Sequence, residues 1–150
     1  MDSTSSCWSQ NIGKLLLRLT IGGLLLCHGI AKIRNGIDWM GPQLAAHNLP
    51  DFVRYGVYIG EVLAPVLVII GLFTRIGGLI IAINMGVAVW LAHANELWQM
   101  DPMGGWAREL DALYLLGALC IMFLGAGSFS IDGLLSKRTA SEAPAESKSR

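Results

Sequence analysis

Residues 15–33, LLLRLTIGGLLLCHGIAKI, decide the fold. The run is as long as the roughly 20 residues a helix needs to cross a ~30 Å hydrocarbon core. It shows no strict alternation of apolar and polar positions. An open sheet in lipid leaves its edge groups unpaired, so the run is expected to be a helix. A cleaved signal peptide would have an apolar region of only about 7–15 residues, followed by a small-x-small site. Here the run continues past His28 and Lys32 and no such site follows, so a retained helix is expected.

Three further runs of the same kind lie at about residues 55–73, 76–94 and 110–129. The whole chain of 150 residues is 53% hydrophobic and 15% charged, with a mean hydropathy of +0.53. An average soluble domain is about one-quarter charged. Lys and Arg balance Asp and Glu at 11 each, so no global field attracts a polyanion, and a nucleic-acid partner is not expected. The reading is an all-α membrane protein, a four-transmembrane-helix bundle in contact with the lipid bilayer. Residues 1–14 form a polar N-terminal tail, 15–135 the membrane domain and 136–150 a disordered C-terminal tail. Lys14, Arg18, Arg75, Lys137, Arg138, Lys148 and Arg150 fall on one side of such a bundle, and only Lys32, Arg34, Arg54 and Arg108 on the other. The cation bias places both termini in the cytoplasm. Trp39, Trp90, Trp98 and Trp106 then gather at the outer face, where an aromatic belt belongs. The three cysteines, Cys7, Cys27 and Cys120, form neither a C-x-x-C nor a metal-like spacing, and the latter two are expected to act as small hydrophobes.

The informative residues are ionisable groups inside the apolar runs. A charge at the bilayer centre costs roughly 2.5–3.5 kcal/mol even on the lenient insertion scale, so it faces a partner or a wet cavity. Along a helix rising 1.5 Å per residue, Glu61 lies about 4–5 Å and His28 about 6 Å from the middle of their spans. Lys32, His93 and Asp111 lie about 12–14 Å out on the same, non-cytoplasmic side. Arg18 stands alone in the inner half and is expected to snorkel to the cytoplasmic headgroups. His28 and Lys32, four residues apart, share a face. Pro65 lacks the N–H that would bond the Glu61 carbonyl, which must therefore face protein or a cavity. Asn84 and His93 are nine residues apart, about 180° around a helix, so only one can point inward. His93 is the one assigned to the cluster, and Asn84 is expected to bond another helix or its own backbone. The candidate site is thus His28, Lys32, Glu61, His93 and Asp111, with Glu61 paired to His28 or Lys32.

Three tasks suit this set. It could exchange protons with a quinone, whose head needs donors and proton acceptors near the interface, through groups tunable toward neutral pH. It could bind a metal, but the spacing matches no metal motif and Lys32 would oppose a divalent ion, so none is assigned. It could also be a polar core in a non-catalytic accessory subunit. Several segments resemble the DoxX/DoxD-like family of small four-helix bacterial membrane proteins. They are Arg18 followed by HGIAK at 28–32, GEVLAP at 60–65, GLFTRIGG at 71–78, ELDALYL at 109–115 and GAGSFSIDG at 125–133. The likeness runs over about residues 14–135. It implies a multi-pass protein of the bacterial inner (plasma) membrane linked to redox metabolism. The resemblance also implies a role of the kind described for some relatives, as subunits of a thiosulfate:quinone oxidoreductase or as partners in oxidative-stress complexes. On that basis a quinone ligand, and redox proteins of the membrane or periplasm, are the expected partners, in a monomer or an oligomer. The family's polar positions correspond to Arg18, His28, Lys32, Glu61, His93 and Asp111. A scaffold that binds a partner protein is the alternative.

Overall fold

Backbone groups in hydrocarbon must bond to one another, and each apolar run closes its own ladder as a helix. A computed structural model describes the chain except residues 1–2, 94–96, 103 and 143–150, together with the side chains of 3–7, 93 and 140–142. Helix α1 (Ser3–Asn35) carries the first apolar run and ends at Gly36, whose φ of 79° turns the chain. The first long loop follows, made of a 3₁₀ turn (Asp38–Met40), the short α2 (Gly41–Ala46) and a second 3₁₀ turn (Asp51–Tyr55). The second run is composite: α3 (Gly56–Tyr58), a π turn (Ile59–Leu63) and α4 (Ala64–Ile70). Its break has a local cause. Pro65 cannot donate to the Glu61 carbonyl, and the ladder widens by one residue over that turn. Helices α5 (Thr74–His93), α6 (Glu109–Leu124) and α7 (Ile131–Glu142) complete the chain. The described residues contain no named strand, only an isolated bridge from Met100 to Trp106 between α5 and α6.

Faces of α1, α4, α5 and α6 share one core, in which Leu25, Val68, Ile81 and Ala118 are among the most buried residues. The outward faces are apolar too, with Leu16, Leu24, Leu116 and Phe123 exposed, as contact with lipid requires. Cys27 and Cys120 lie free on that outward surface.

Three helical stretches are long and apolar enough to cross a membrane: Trp8–Asn35, Asp51–Ile70 and Thr74–Ala92. The fourth run departs from expectation. Its helix ends at Leu124 instead of near residue 129, because Gly125 and Gly127 take positive φ (70° and 75°) and turn the chain away. With 16 residues, α6 is about 24 Å long.

Both tails also differ from the solvated coil their polarity predicts. Helix α1 already runs from Ser3, and the C-terminal tail is helical as far as Glu142. The N-terminal one has something to bond. Asn11 Oδ1 accepts the Ser128 N–H at 2.9 Å, and Trp8 packs edge-on against Phe129 with ring centroids 6.0 Å apart. Asp132 accepts the N–H groups of Phe73 and Thr74, capping the start of α5.

Arg18 sits among these turns and does not snorkel. It is 2% exposed. Nε donates to the Val68 carbonyl (2.9 Å), Nη2 to Ile69 (3.0 Å), and Nη1 to Ala126 (2.5 Å) and Phe129 (3.0 Å). The first two acceptors belong to the last turn of α4, whose carbonyls have no partner within the helix. Leu67 and Val68 also receive the Leu72 and Gly71 N–H groups, in the glycine-terminated motif that ends many helices. An arginine satisfies such a cluster better than a headgroup satisfies the arginine.

Candidate functional site

The end of the molecule opposite Arg18 holds the candidate residues. Glu61 stands in the π turn and is 3% exposed. It reaches that depth because α1 comes very close. A Cβ at Gly29 would collide with the Glu61 carbonyl oxygen, so only glycine allows the two backbones to meet there. The carbonyl freed by Pro65 is thereby covered by protein, as expected from sequence.

Lys32, one turn beyond Gly29 on α1, places Nζ 2.5 Å from Glu61 Oε1. Its side chain is 24% exposed against 4% for that of Glu61, so the cation keeps a route to water while the carboxylate does not. Of the two partners weighed for Glu61, the lysine is the one that bonds. Asn84 Nδ2 lies 3.5 Å from the same oxygen, and its side chain packs so tightly over Gly60 that a Cβ there would strike it. Asn84 does bond another helix, but it belongs to the cluster from which the sequence reading left it out. The cause is the azimuth of α5, which turns Ile81 and Met85 into the core and carries Asn84 with them. The side chain of His93 lies outside the described residues. Glu61 Oε2, by contrast, is buried and accepts no hydrogen bond from any described residue.

A cavity of about 430 Å³ opens beside this pair. Its walls are mainly apolar, from Leu25, Val57, Ile80, Ile83, Val87 and Leu91, and it lies within the size range of small-molecule sites. Glu61, Lys32 and Asn84 line it, as do His28, Asp111 and Tyr114. His28 does not bond Glu61. Its ring meets that of Tyr114 edge-on at 5.8 Å, which links α1 to α6. Asp111 lies 3.7 Å from Arg108, one turn back on its own helix. Four of the five predicted residues are thus accounted for around one cavity, and two of them, Lys32 and Glu61, are in direct contact.

The long loop between α1 and α3 covers the cavity. Trp39, Met40, Gln43 and Leu44 line it from above, and His47 packs on Trp90 of α5 with centroids 4.6 Å apart. Arg54 ties the loop together, bonding Asp38 at 3.0 Å and Asp51 at 2.9 Å while lying 5.3 Å over the Tyr55 ring. Arg54 also lines the cavity, and its Nε is buried without a partner among the described residues. Arg54 was not singled out from sequence as a site residue. Its only signal was a cation two acidic residues could reach, Asp51 in the same turn and Asp38 in the same loop. Among the described residues no group of three or more His, Cys, Asp and Glu side chains is placed to hold a metal ion.

The family model that matches is DoxX, over residues 13–94. A Bacillus subtilis protein named "Putative oxidoreductase CatD" is 30% identical over 86% of this chain and 91% of its own length. A Haemophilus influenzae protein described only as uncharacterized is 30% identical over 81% of this chain and 90% of its own. A Mycobacterium tuberculosis protein named "Uncharacterized membrane protein Rv3486" is 29% identical over 83% and 82%. No solved structure matches. The matched region contains His28, Lys32 and Glu61, the GEVLAP segment and the whole loop between α1 and α3. With apolar helices of membrane-crossing length and this match over more than half of its residues, the chain belongs to the DoxX family of membrane proteins.

Proposed function

We propose that the cavity receives the head of a lipid-soluble redox carrier, a quinone, and that the protein works as a redox-linked membrane subunit. One observation carries the reading. A nearly fully buried carboxylate, ion-paired through one oxygen and unpartnered at the other, stands in the wall of a mainly apolar cavity of about 430 Å³. Structural ion pairs are completed by further hydrogen bonds, because each open lone pair adds to the desolvation cost. A carboxylate left open beside a cavity suits a ligand instead. The residues fit a quinone head in kind: apolar walls for the ring, and donors and acceptors at a few points. When bound, such a carrier supplies two-electron, two-proton chemistry. Lys32 and Asn84 would hold Glu61 in place, Glu61 and His28 would exchange protons, and the covering loop would keep water out. The name of the B. subtilis relative is consistent with an oxidoreductase role.

In this reading residues 15–135 form a four-helix membrane domain of the bacterial inner membrane, with both termini cytoplasmic and the cavity in the outer half. Redox proteins of the membrane or periplasm then serve as its electron partners. Extraction of the detergent-purified protein with organic solvent tests the proposal. The carrier, counted as quinone plus quinol, is expected to co-purify with the native chain and to be lost with Glu61→Gln or His28→Ala. Absence of the carrier, with a partner protein captured in stoichiometric amount, would establish the non-catalytic scaffold in its place.

A further inference from the structure

Two buried atoms on residues that line the cavity, Glu61 Oε2 and Arg54 Nε, have no partner among the described residues, and they differ in sign. Glu61 Oε2 is an acceptor, because the Lys32 ammonium on Oε1 makes the group a carboxylate. Arg54 Nε is a donor. A ligand that leaves either of them unmet loses affinity, since a buried polar group without a partner costs more than a made hydrogen bond returns. A quinone has only acceptor oxygens. It can meet Arg54 Nε, but at Glu61 it sets lone pairs against lone pairs. A ring bearing hydroxyls can donate through an O–H, which Glu61 Oε2 requires, and its oxygens accept as well as those of the quinone do.

We propose that the cavity selects the hydroxyl-bearing, reduced form of its carrier, with Glu61 Oε2 as the residue atom that discriminates. The inference rests on the carrier reading above and narrows it to one redox state. No bond is made or broken in this step; one O–H donates to a carboxylate oxygen. Sites built to hydrogen-bond a hydroxyl reject analogues without it far more strongly than apolar pockets reject a change of size. Lys32 acts here as a positioning residue, because it occupies Oε1 and leaves Oε2 as the open acceptor.

Anaerobic equilibrium dialysis of the whole protein in detergent tests this with three probes: duroquinol, duroquinone and duroquinol dimethyl ether. The ether keeps the reduced ring and removes the donors, so it separates hydrogen bonding from redox state. Duroquinol is expected to bind about tenfold or more tightly than either of the others, and Glu61→Gln, whose amide can donate, is expected to erase the preference. The comparison of the three probes on the native chain stands even if that variant fails to fold. Equal binding of duroquinol and duroquinone, or tighter binding of duroquinone, would overturn the selection while leaving a carrier site in place. Binding of none of the three would overturn both.

Discussion

Arg18 and Glu61 are buried to nearly the same degree at opposite ends of the helices, and their surroundings treat them differently. Arg18 commits four of its five N–H donors to carbonyl oxygens, all within 3.0 Å. Those carbonyls lie at the end of α4 and in the turn that follows α6, and only that of Val68 also receives a backbone N–H outside its helix among the described residues. Glu61 has one oxygen on Lys32 and Asn84 and the other on nothing described, with a cavity alongside. A buried charge with its bonding complete holds parts of the fold in register. One left half-bonded next to open space adds little to stability for its desolvation cost, and its retention calls for another explanation. The helix breaks follow the same division. At the Arg18 end the chain turns through Gly71, Gly125 and Gly127, each at positive φ, and every turn is tied down by a side chain. At the Glu61 end α1 also stops at a positive-φ glycine, Gly36, but the second helix breaks by a π turn and runs on, a feature that recurs at functional sites.

The contrast is broken most directly at Arg18. Arg18→Met should cost more than about 3 kcal/mol, since several helix-end carbonyls lose a charged donor at once. Thermal unfolding in detergent would show a large fall in Tm. Arg18→Lys should not restore it, because one ammonium cannot reach acceptors spread around a planar guanidinium. A well-folded Arg18→Met protein that has lost carrier retention would reverse the assignment of this end.

Lys32→Met comes next. It strands the Glu61 carboxylate, and with Lys32 partly open to water the loss should be about 2 kcal/mol, below the range for a fully buried pair. Adding Glu61→Gln should recover most of that stability but none of the carrier binding. A double variant no more stable than Lys32→Met would mean that the pair is held by something besides its charge.

Much of this site could be read from the chain alone. Glu61 is too deep in an apolar run to stand alone, Lys32 on the first run offers it a cation nearer the same end, and Pro65 marks the turn that carries Glu61. The glycine contact that seats the carboxylate could not be read, because Gly29 meets Glu61 only through packing of α1 on the second helix. Arg18 was misread because depth alone suggested snorkelling. The signs that a helix ends at that level, Gly71 and the glycines of GAGSFSIDG, were present but lie more than 50 residues away. The same glycines shorten α6, which hydropathy carried to residue 129. Position on a helical wheel excluded both Asn84 and His93 from facing inward together, but the choice between them depended on the rotation of α5, which the core residues Ile81 and Met85 set.

Asn84 gives the finest test of the division between the two ends. Its contact with Glu61 is long, at 3.5 Å, and the amide competes with Lys32 for the same oxygen. Asn84→Ala should therefore shift stability by less than about 1 kcal/mol, the scale of one ordinary hydrogen bond. Its effect on the ligand should be larger in proportion, because the amide packs over Gly60 and walls the cavity beside the carboxylate. Duroquinol binding is expected to weaken severalfold, less than in Glu61→Gln, with its preference over duroquinone retained because Oε2 is untouched. Dialysis and thermal unfolding on the same preparation separate these effects. A drop in Tm as large as that of Lys32→Met would make Asn84 part of a structural clasp and bring the Glu61 end closer in kind to the Arg18 end. Stability nearly unchanged, with weakened binding, keeps the two ends apart.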